Sequence, residues 1–395
     1  MIKKIALLIL WLVVSAGCNG GAPQTSSGEY ITGAAQIGRY LPLLEGKNVG
    51  VVCNHTARVG GVHLVDTLLS SGVKVVRIFG PEHGFRGDHA DGEQVSHGKD
   101  ITTGIPVVSL YGKKRKPGTE DLDGLDCIVF DIQDVGVRCY TYISTMTYMM
   151  DACAQAGIPM IVLDRPNPNG DLVDGPLLDT AYASFVGLHP VPLAYGMTIG
   201  EYALMVNGEG WLTNGKQCNL TVIPLLNYTH RTPVVLPVAP SPNLPDEVSV
   251  RLYPSLVLFE GTIISVGRGT DMPFRLTGHP HFTGGDTLFV PRSIPGVSVN
   301  PPYRGDTCYG FVHYPDAAGE SSSPRTIKLD YLIMYFRFYK DKEPFFTPYF
   351  TKLAGSPLLQ QQIERGLDAS EIRQSWSDDL RVFRTIRAKY LLYPD

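Results

Sequence analysis

Along the first half of the chain, short apolar runs alternate with stretches of helical spacing. "NVGVVCNHT", "VKVVRIF", "GIPVVSLYG", "LDCIVFDIQDVG", "IPMIVLDRPNPNG" and "CNLTVIPL" are hydrophobic runs closed by polar or turn residues. Runs without apolar–polar alternation predict strands covered on both faces, as in a parallel sheet. Between them, "GVHLVDTLLSSG", "TYISTMTYMMDACAQAG" and "MTIGEYALMVNGEGW" carry helical periodicity, with glycine stops after the first two. The pattern predicts an α/β fold: a Rossmann-like parallel sheet with helices on both faces.

The pattern then changes. "RTPVVLPVAPSPNLPDEVSVRLYP" is a proline-rich crossing between domains. Beyond it, "GTIISVG", "GVSVNPP" and "CYGFVHY" read as short strands, and "TIKLDYLIMYFRFYKD" and "DLRVFRTIRAKYLLY" as helices. The expected organisation is a Rossmann-like domain over 46–235 and a smaller α+β domain over 236–395. The 42 glycines and 30 prolines predict many turns and structured loops.

The N-terminus reads as a targeting segment. Lys3 and Lys4 precede an apolar run from Ile5 to Val14, too short to cross a bilayer comfortably. "SAGC" then resembles a lipobox, with Ser15 in place of the usual leucine. The expectation is a signal peptide over 1–17, a lipidated Cys18, and a tether over 18–45. Asn19 after Cys18 is not the aspartate linked to inner-membrane retention, so the periplasmic face of the outer membrane is the expected location. A net charge of −4 offers no electrostatic reason to expect nucleic acid. No CxxC occurs, and the cysteine spacings do not outline a disulfide framework.

Every strand delivers polar residues where it ends: Asn54 and His55; Glu82 and His83; Asp131, Gln133 and Asp134; Asp164, Arg165 and Asn167. In open α/β sheets that edge is where ligands bind. "GPEHGFRG" sets Glu82 on a rigid turn after a buried strand. A confined carboxyl has its pKa raised, as a general acid requires. Equally, Glu82 could pair with Arg86 and hold the loop. Glu82, His83, His89 and His97 could also ligate a metal, but no HExxH is present and the histidine spacings lack helical logic. No metal or cofactor is expected.

"FDIQDVGVRCYTY" places Asp131, Gln133, Asp134 and Arg138 beside Tyr140 and Tyr142. Acids and amides bond sugar hydroxyls and tyrosine faces stack on sugar rings. Alternatively, Asp134 and Arg138 form a buried pair that shapes the turn. Arg165 suits a carboxylate ligand, or satisfies loop carbonyls. "EGTIISVGRGTDMPF" contributes Glu260, Arg268 and Thr270; its glycines match neither a Walker loop nor GxGxxG. No G-x-S-x-G elbow is present.

"GPEHGFRG", "FDIQDVGVRCYTYISTM", "VLDRPNPNG", "GPLLD", "PSPNLP", "YPSLVLFEGT" and "GRGTDMPF" follow one another in a single order. From Gly46 to "YLLYPD" the chain resembles the bacterial NamZ-type exo-β-N-acetylmuramidases. That resemblance implies that the C-terminal domain closes over a cleft. It also implies removal of terminal β-1,4-linked N-acetylmuramic acid from the non-reducing end of peptidoglycan fragments, in cell-wall turnover. It makes Glu82 the catalytic residue. His83, Arg86, Glu93 and the polar strand-end residues become substrate-binding candidates, as do Ser241 and Asn243 of "PSPN". The chain departs from the family at "YGMT", where Tyr195 replaces a common histidine, and at "VAPSPN", which lacks a common tryptophan. The expected partners are muropeptides or disaccharides and, through Cys18, a membrane. Two other classes fit the same residues: a muropeptide-binding lipoprotein without turnover, and a metal-dependent cell-wall hydrolase.

Overall fold

The computed structural model describes residues 29–81, 84–85, 98–112, 114–315 and 325–395. A seven-stranded sheet forms its centre. Its strands are β1 (Asn48–Cys53), β2 (Lys74–Gly80), β3 (Gly98–Lys99), β4 (Pro106–Ser109), β5 (Cys127–Asp131), β6 (Met160–Leu163) and β7 (Leu220–Ile223). They lie in the order β7-β6-β5-β1-β2-β4-β3, parallel except for the edge pair β3–β4. The chain winds outward from β1 in both directions, so the switch point lies between β1 and β5.

An unbroken apolar row explains the register: Val222, Val162, Phe130, Val52, Phe79 and Val108 are successive partners across six strands. Neighbouring residues face opposite ways, as the pleat requires. Val52 and Phe130 join one core, while Val51, Cys53 and Val129 join the other. The second core is covered by α1 (Ile37–Leu44), through Tyr40 and Leu44, and by α2 (Leu64–Ser70), through Leu64, Val65 and Leu68. The first is covered by α3 (Tyr142–Ala156) and α4 (Ile199–Gly208), which contribute Met146, Met149, Tyr202 and Met205. Helices therefore cover both faces, as the sequence pattern predicts. Each fully buried side chain of this kind contributes about 1.5–3 kcal/mol, so truncating Phe130 costs about 3–5 kcal/mol.

Local signals set the helix ends. α3 stops at Gly157, whose φ of 71° is left-handed. α4 starts with a capping box: Glu201 N–H donates to Thr198 Oγ1 at 3.2 Å, and Thr198 N–H donates to Glu201 Oε2 at 2.9 Å.

The C-terminal half holds a three-stranded antiparallel sheet of β8 (Leu276–His279), β9 (Thr287–Phe289) and β10 (Cys308–Val312). Its helices are α5 (Glu247–Leu256), α6 (Asp330–Tyr339), α7 (Tyr349–Ala354), α8 (Leu358–Glu364), α9 (Ala369–Ser375) and α10 (Ser377–Arg387). Leu332, Tyr335, Phe350, Leu353 and Phe383 join the same core as Val52 and Phe130, so the two halves pack through shared apolar contact.

Several local expectations differ from the structure. Residues 37–44, expected in the tether, form α1 and bury Tyr40. The second part of the proline-rich crossing is α5, because Asp246 accepts from Ser249 N–H at 2.7 Å and caps a helix. "GTIISVG" forms only isolated bridges, Thr262 with Phe346 and Ser265 with Gly278. "GVSVNPP" is a tight turn closed by Ile294 and Ser298; its prolines cannot donate to a ladder. The cysteines among the described residues are buried free thiols.

Candidate active site

The strand-end acids are engaged with the protein itself. Asp131 receives Arg165 as a fork, Nε at 2.5 Å and Nη2 at 2.8 Å, and both residues are buried. Arg165, expected as a carboxylate clamp, is thus neutralised within the fold. Asp164 accepts from the N–H groups of Arg165 and Gly200 and from the hydroxyls of Thr198 and Tyr393. Burial nevertheless raises its pKa to about 7. Asn167 Nδ2 donates to Met197 O at 2.9 Å, and its Oδ1 accepts from Asn169 N–H at 2.8 Å, fixing the proline-rich turn.

The expected Asp134–Arg138 pair does not form. Asp134 Oδ2 accepts from Gly136 N–H at 2.8 Å and from the Tyr195 hydroxyl, while Oδ1 is buried without a partner. Burial pushes its pKa up to about 6. Gly136 makes this turn possible: its φ is 74°, and a Cβ there would lie 2.3 Å from the Asn167 amide. Arg138 points the other way. Its Nη1 donates to Pro176 O at 2.8 Å and Val191 O at 2.7 Å, and its Nη2 to Leu353 O at 2.9 Å. Tyr195 is fully buried and its hydroxyl donates to Asp134. Gln133 Nε2 donates to the carbonyls of Asp134 and Pro166, at 2.8 and 2.6 Å. Polar groups leaving a dry sheet satisfy one another first, because an unpaired one costs about 1–3 kcal/mol.

Asn54 and His55 stand at the switch point. Asn54 Oδ1 accepts from Thr56 N–H at 3.0 Å and its hydroxyl at 2.6 Å, leaving Nδ2 buried and unpartnered. His55 Nε2 lies 2.8 Å from Ala239 O, and burial lowers its pKa. Thr270 serves a turn, donating to Gly267 O at 2.6 Å. Glu82, His83, Arg86 and Glu93 lie outside the described residues, as do Asp88, His89, Asp91, His97 and Cys18.

A cavity of about 440 Å³ opens on the same side of the sheet. Tyr111, just past β4, and Cys139 to Tyr142, which lead from β5 into α3, supply one wall. Ser241, Asn243 and Leu244 come from the crossing; Glu260, Arg268, Phe274, Tyr349 and Lys352 come from the C-terminal half. Six sequence-predicted residues therefore meet here: Tyr140, Tyr142, Ser241, Asn243, Glu260 and Arg268.

The aromatic wall is continuous. Tyr142 meets Tyr140 edge-on at 4.8 Å, Tyr140 meets Tyr253 at 6.1 Å, and Tyr253 meets Phe274 at 4.9 Å. The Tyr140 hydroxyl donates to Pro240 O at 2.6 Å, which fixes that ring. Opposite charge is arranged around it. Arg268 contacts Glu260 through Nε and Nη2, each at 2.7 Å, and its guanidinium sits 5.2 Å from the Phe274 ring centre. Arg115 lies 4.4 Å from the Phe185 ring centre. Asn243 donates to Val297 O at 3.0 Å, and its buried Oδ1 has no partner. Burial raises the Cys139 thiol to about 12, so it is not a nucleophile here.

Sequence reasoning missed Arg115, Phe185, Tyr253, Tyr349 and Lys352. Arg115 had a signal, since it follows a strand within the basic run "KKRK". Its neighbours in that run are occupied, Lys114 with Glu120 and Asp121 and Lys116 with Asp151, which leaves Arg115 at the cavity. Tyr349 and Lys352 sit on α7, with no local motif to mark them.

Two family models match consecutive parts of the chain: "Exo-beta-N-acetylmuramidase NamZ, N-terminal" over residues 49–248 and "Exo-beta-N-acetylmuramidase NamZ, C-terminal" over 251–393. The chain is 39% identical over 381 residues to the peptidoglycan beta-N-acetylmuramidase NamZ of Bacillus subtilis (strain 168), covering 90% of this chain and 89% of that protein. Two crystal structures of DUF1343 family proteins from Bacteroides fragilis NCTC 9343 share the fold. One has a TM-score of 0.85 and 46% identity over 93% of this chain and 99% of the other. The second has a TM-score of 0.80 and 30% identity over 92% of this chain and 99% of the other. Since both halves match in order and a relative aligns over nearly the full length, the chain belongs to the NamZ exo-β-N-acetylmuramidase family.

Proposed function

We propose that this protein is an exo-acting glycoside hydrolase that removes terminal β-1,4-linked N-acetylmuramic acid from the non-reducing end of peptidoglycan fragments. The observation that carries this reading is the match of both family halves across one continuous chain. The cavity supports it. At about 440 Å³ it falls within the range of small-molecule sites, about 300–1,000 Å³, and suits an end unit rather than a long strand.

Its residues suit this sugar. The aromatic wall offers faces to a pyranose ring, and Asn243 lines the same cavity beside it. The lactyl carboxylate distinguishes muramic acid from glucosamine. Arg138 and Arg165 are committed to the fold, so Lys352 and Arg115 are the cations we assign to it. Glu82 acts as general acid on the leaving oxygen. Glu260, held by Arg268, is the described carboxylate at the cavity and can orient water or the acetamide. Its separation from Glu82 sets the stereochemistry: about 5–5.5 Å favours retention and about 6.5–9.5 Å inversion.

The test is incubation with defined, peptide-free peptidoglycan fragments and mass spectrometry of the products. Release of free N-acetylmuramic acid from the non-reducing end alone is expected; internal cleavage, or no product, would overturn the proposal. We further propose a lipid anchor on Cys18 and a place on the periplasmic face of the outer membrane, supported by the "SAGC" motif. Among the described residues, no helix is long and apolar enough to cross a membrane. Loss of palmitate labelling in Cys18→Ala is expected; an unlabelled wild type would count against the anchor.

A further inference from the structure

The C-terminal half brings together a group that takes no part in the cavity. We propose that His279, His281 and Glu343 form a binding site for a zinc-class divalent cation. His279 ends β8, His281 lies in the following turn, and Glu343 follows α6. Their ligand atoms all lie within 4.8 Å of one another, although Glu343 is more than sixty residues away in sequence. None of the three lines the cavity.

The donor set fits zinc. Two imidazoles and one carboxylate suit a borderline-soft ion, whereas magnesium and calcium prefer oxygen alone. Ligand atoms in a tetrahedral zinc shell stand about 3.3 Å apart, given bonds of about 2.0–2.1 Å. The exposed His281 and half-buried Glu343 can close the difference by side-chain rotation. Glu343 has no ion-pair partner within 4.0 Å among the described residues, so a cation would meet a carboxylate not already neutralised. The C-terminal end of α6 adds carbonyl dipoles of the same sign.

His279 is already oriented. Its ring is buried, Tyr303 and Tyr339 meet it edge-on at 4.8 and 4.9 Å, and its Nδ1 lies 2.8 Å from the Tyr339 hydroxyl. That leaves Nε2 for the metal. Zinc on Nε2 places the remaining proton on Nδ1, which then donates to the Tyr339 oxygen. In the structure Nδ1 accepts from the His281 N–H at 3.1 Å, so this proton shift also requires the His281 peptide to move away from Nδ1. The ion would clip the end of β8 to the segment after α6, bracing the sheet without entering the reaction.

The experiment is equilibrium dialysis of the protein against micromolar Zn²⁺, metal analysis by mass spectrometry, and thermal melting with and without Zn²⁺. One equivalent retained and a raised Tm are expected. His281→Ala, at an exposed position, should fold normally, lose at least tenfold in affinity and show no Tm response. Tyr339→Phe keeps all three ligands and should weaken binding by about 10–100-fold. Retention of no zinc by the wild type would overturn the site, and equal retention by His281→Ala would overturn it as an adventitious ion only.

Discussion

Arg138 and Leu353 stand 215 residues apart in sequence, and the guanidinium of one donates to the carbonyl of the other at 2.9 Å. The same arginine also holds Pro176 and Val191. It ties the start of α3 to α7, the helix that carries Lys352 into the cavity. Removing it takes the guanidinium donor from the Pro176 and Leu353 carbonyls, while Val191 O keeps the Leu178 N–H at 3.1 Å. Arg138→Met should lower stability by about 3 kcal/mol or more in urea unfolding. A loss below about 1 kcal/mol would show that the carbonyls find other donors.

Asp134 should make stability depend on pH. Burial raises its folded pKa to about 6, above the ordinary 3.8. The folded state therefore binds the proton more tightly than the unfolded chain. Its contribution is complete below about pH 4 and is lost as pH rises through 6. Asp134→Asn imitates the protonated form, so the difference between wild type and variant should change between pH 4.5 and 7.5. Parallel stability curves for the two would refute this assignment.

Lys352 is predicted to read the lactyl carboxylate. A charge-assisted hydrogen bond of about 1.5–3 kcal/mol corresponds to roughly ten- to a hundredfold in KM. Lys352→Met should raise KM by that amount for a muramide, and have little effect on a substrate whose lactyl group is a carboxamide. An equal effect on both substrates would assign Lys352 to packing.

Glu82→Gln should reduce turnover by about 10²–10⁴-fold, the range for a general acid, with melting unchanged. Glu260→Gln should also reduce turnover, since it disturbs Arg268 and the cavity charge. Unaltered hydrolysis in Glu82→Gln would remove that residue from the mechanism.

The sheet was legible because its determinants are local. Apolar runs such as "VGVVC" and "CIVF" demand two-sided burial, and Gly157 and the Thr198–Glu201 box mark helix ends within a few residues. The strand-end polar residues were legible as a cluster, but not in their roles. Asp131, Asp134, Arg138 and Arg165 read as a sugar site because charge at a sheet edge suggests a ligand. In the fold Asp131 and Arg165 pair with each other, Arg138 serves carbonyls, and Asp134 accepts from Gly136 N–H and the Tyr195 hydroxyl, since a charge in a dry interior needs a partner before any substrate arrives. Tyr195 shows the same effect: its hydroxyl is held by Asp134.

The sequence by itself determined the α/β order, the family motifs and the candidate acid Glu82, all of which are written in short contiguous stretches. Only the tertiary structure decided which polar side chains meet at the cavity. Arg115, Asn243, Arg268 and Lys352 come from four separated segments, and their meeting depends on the shared core that packs the two halves together. Long-range packing of that kind leaves no periodicity or spacing in the chain. It is set by the sum of many apolar contacts, and no single motif records it.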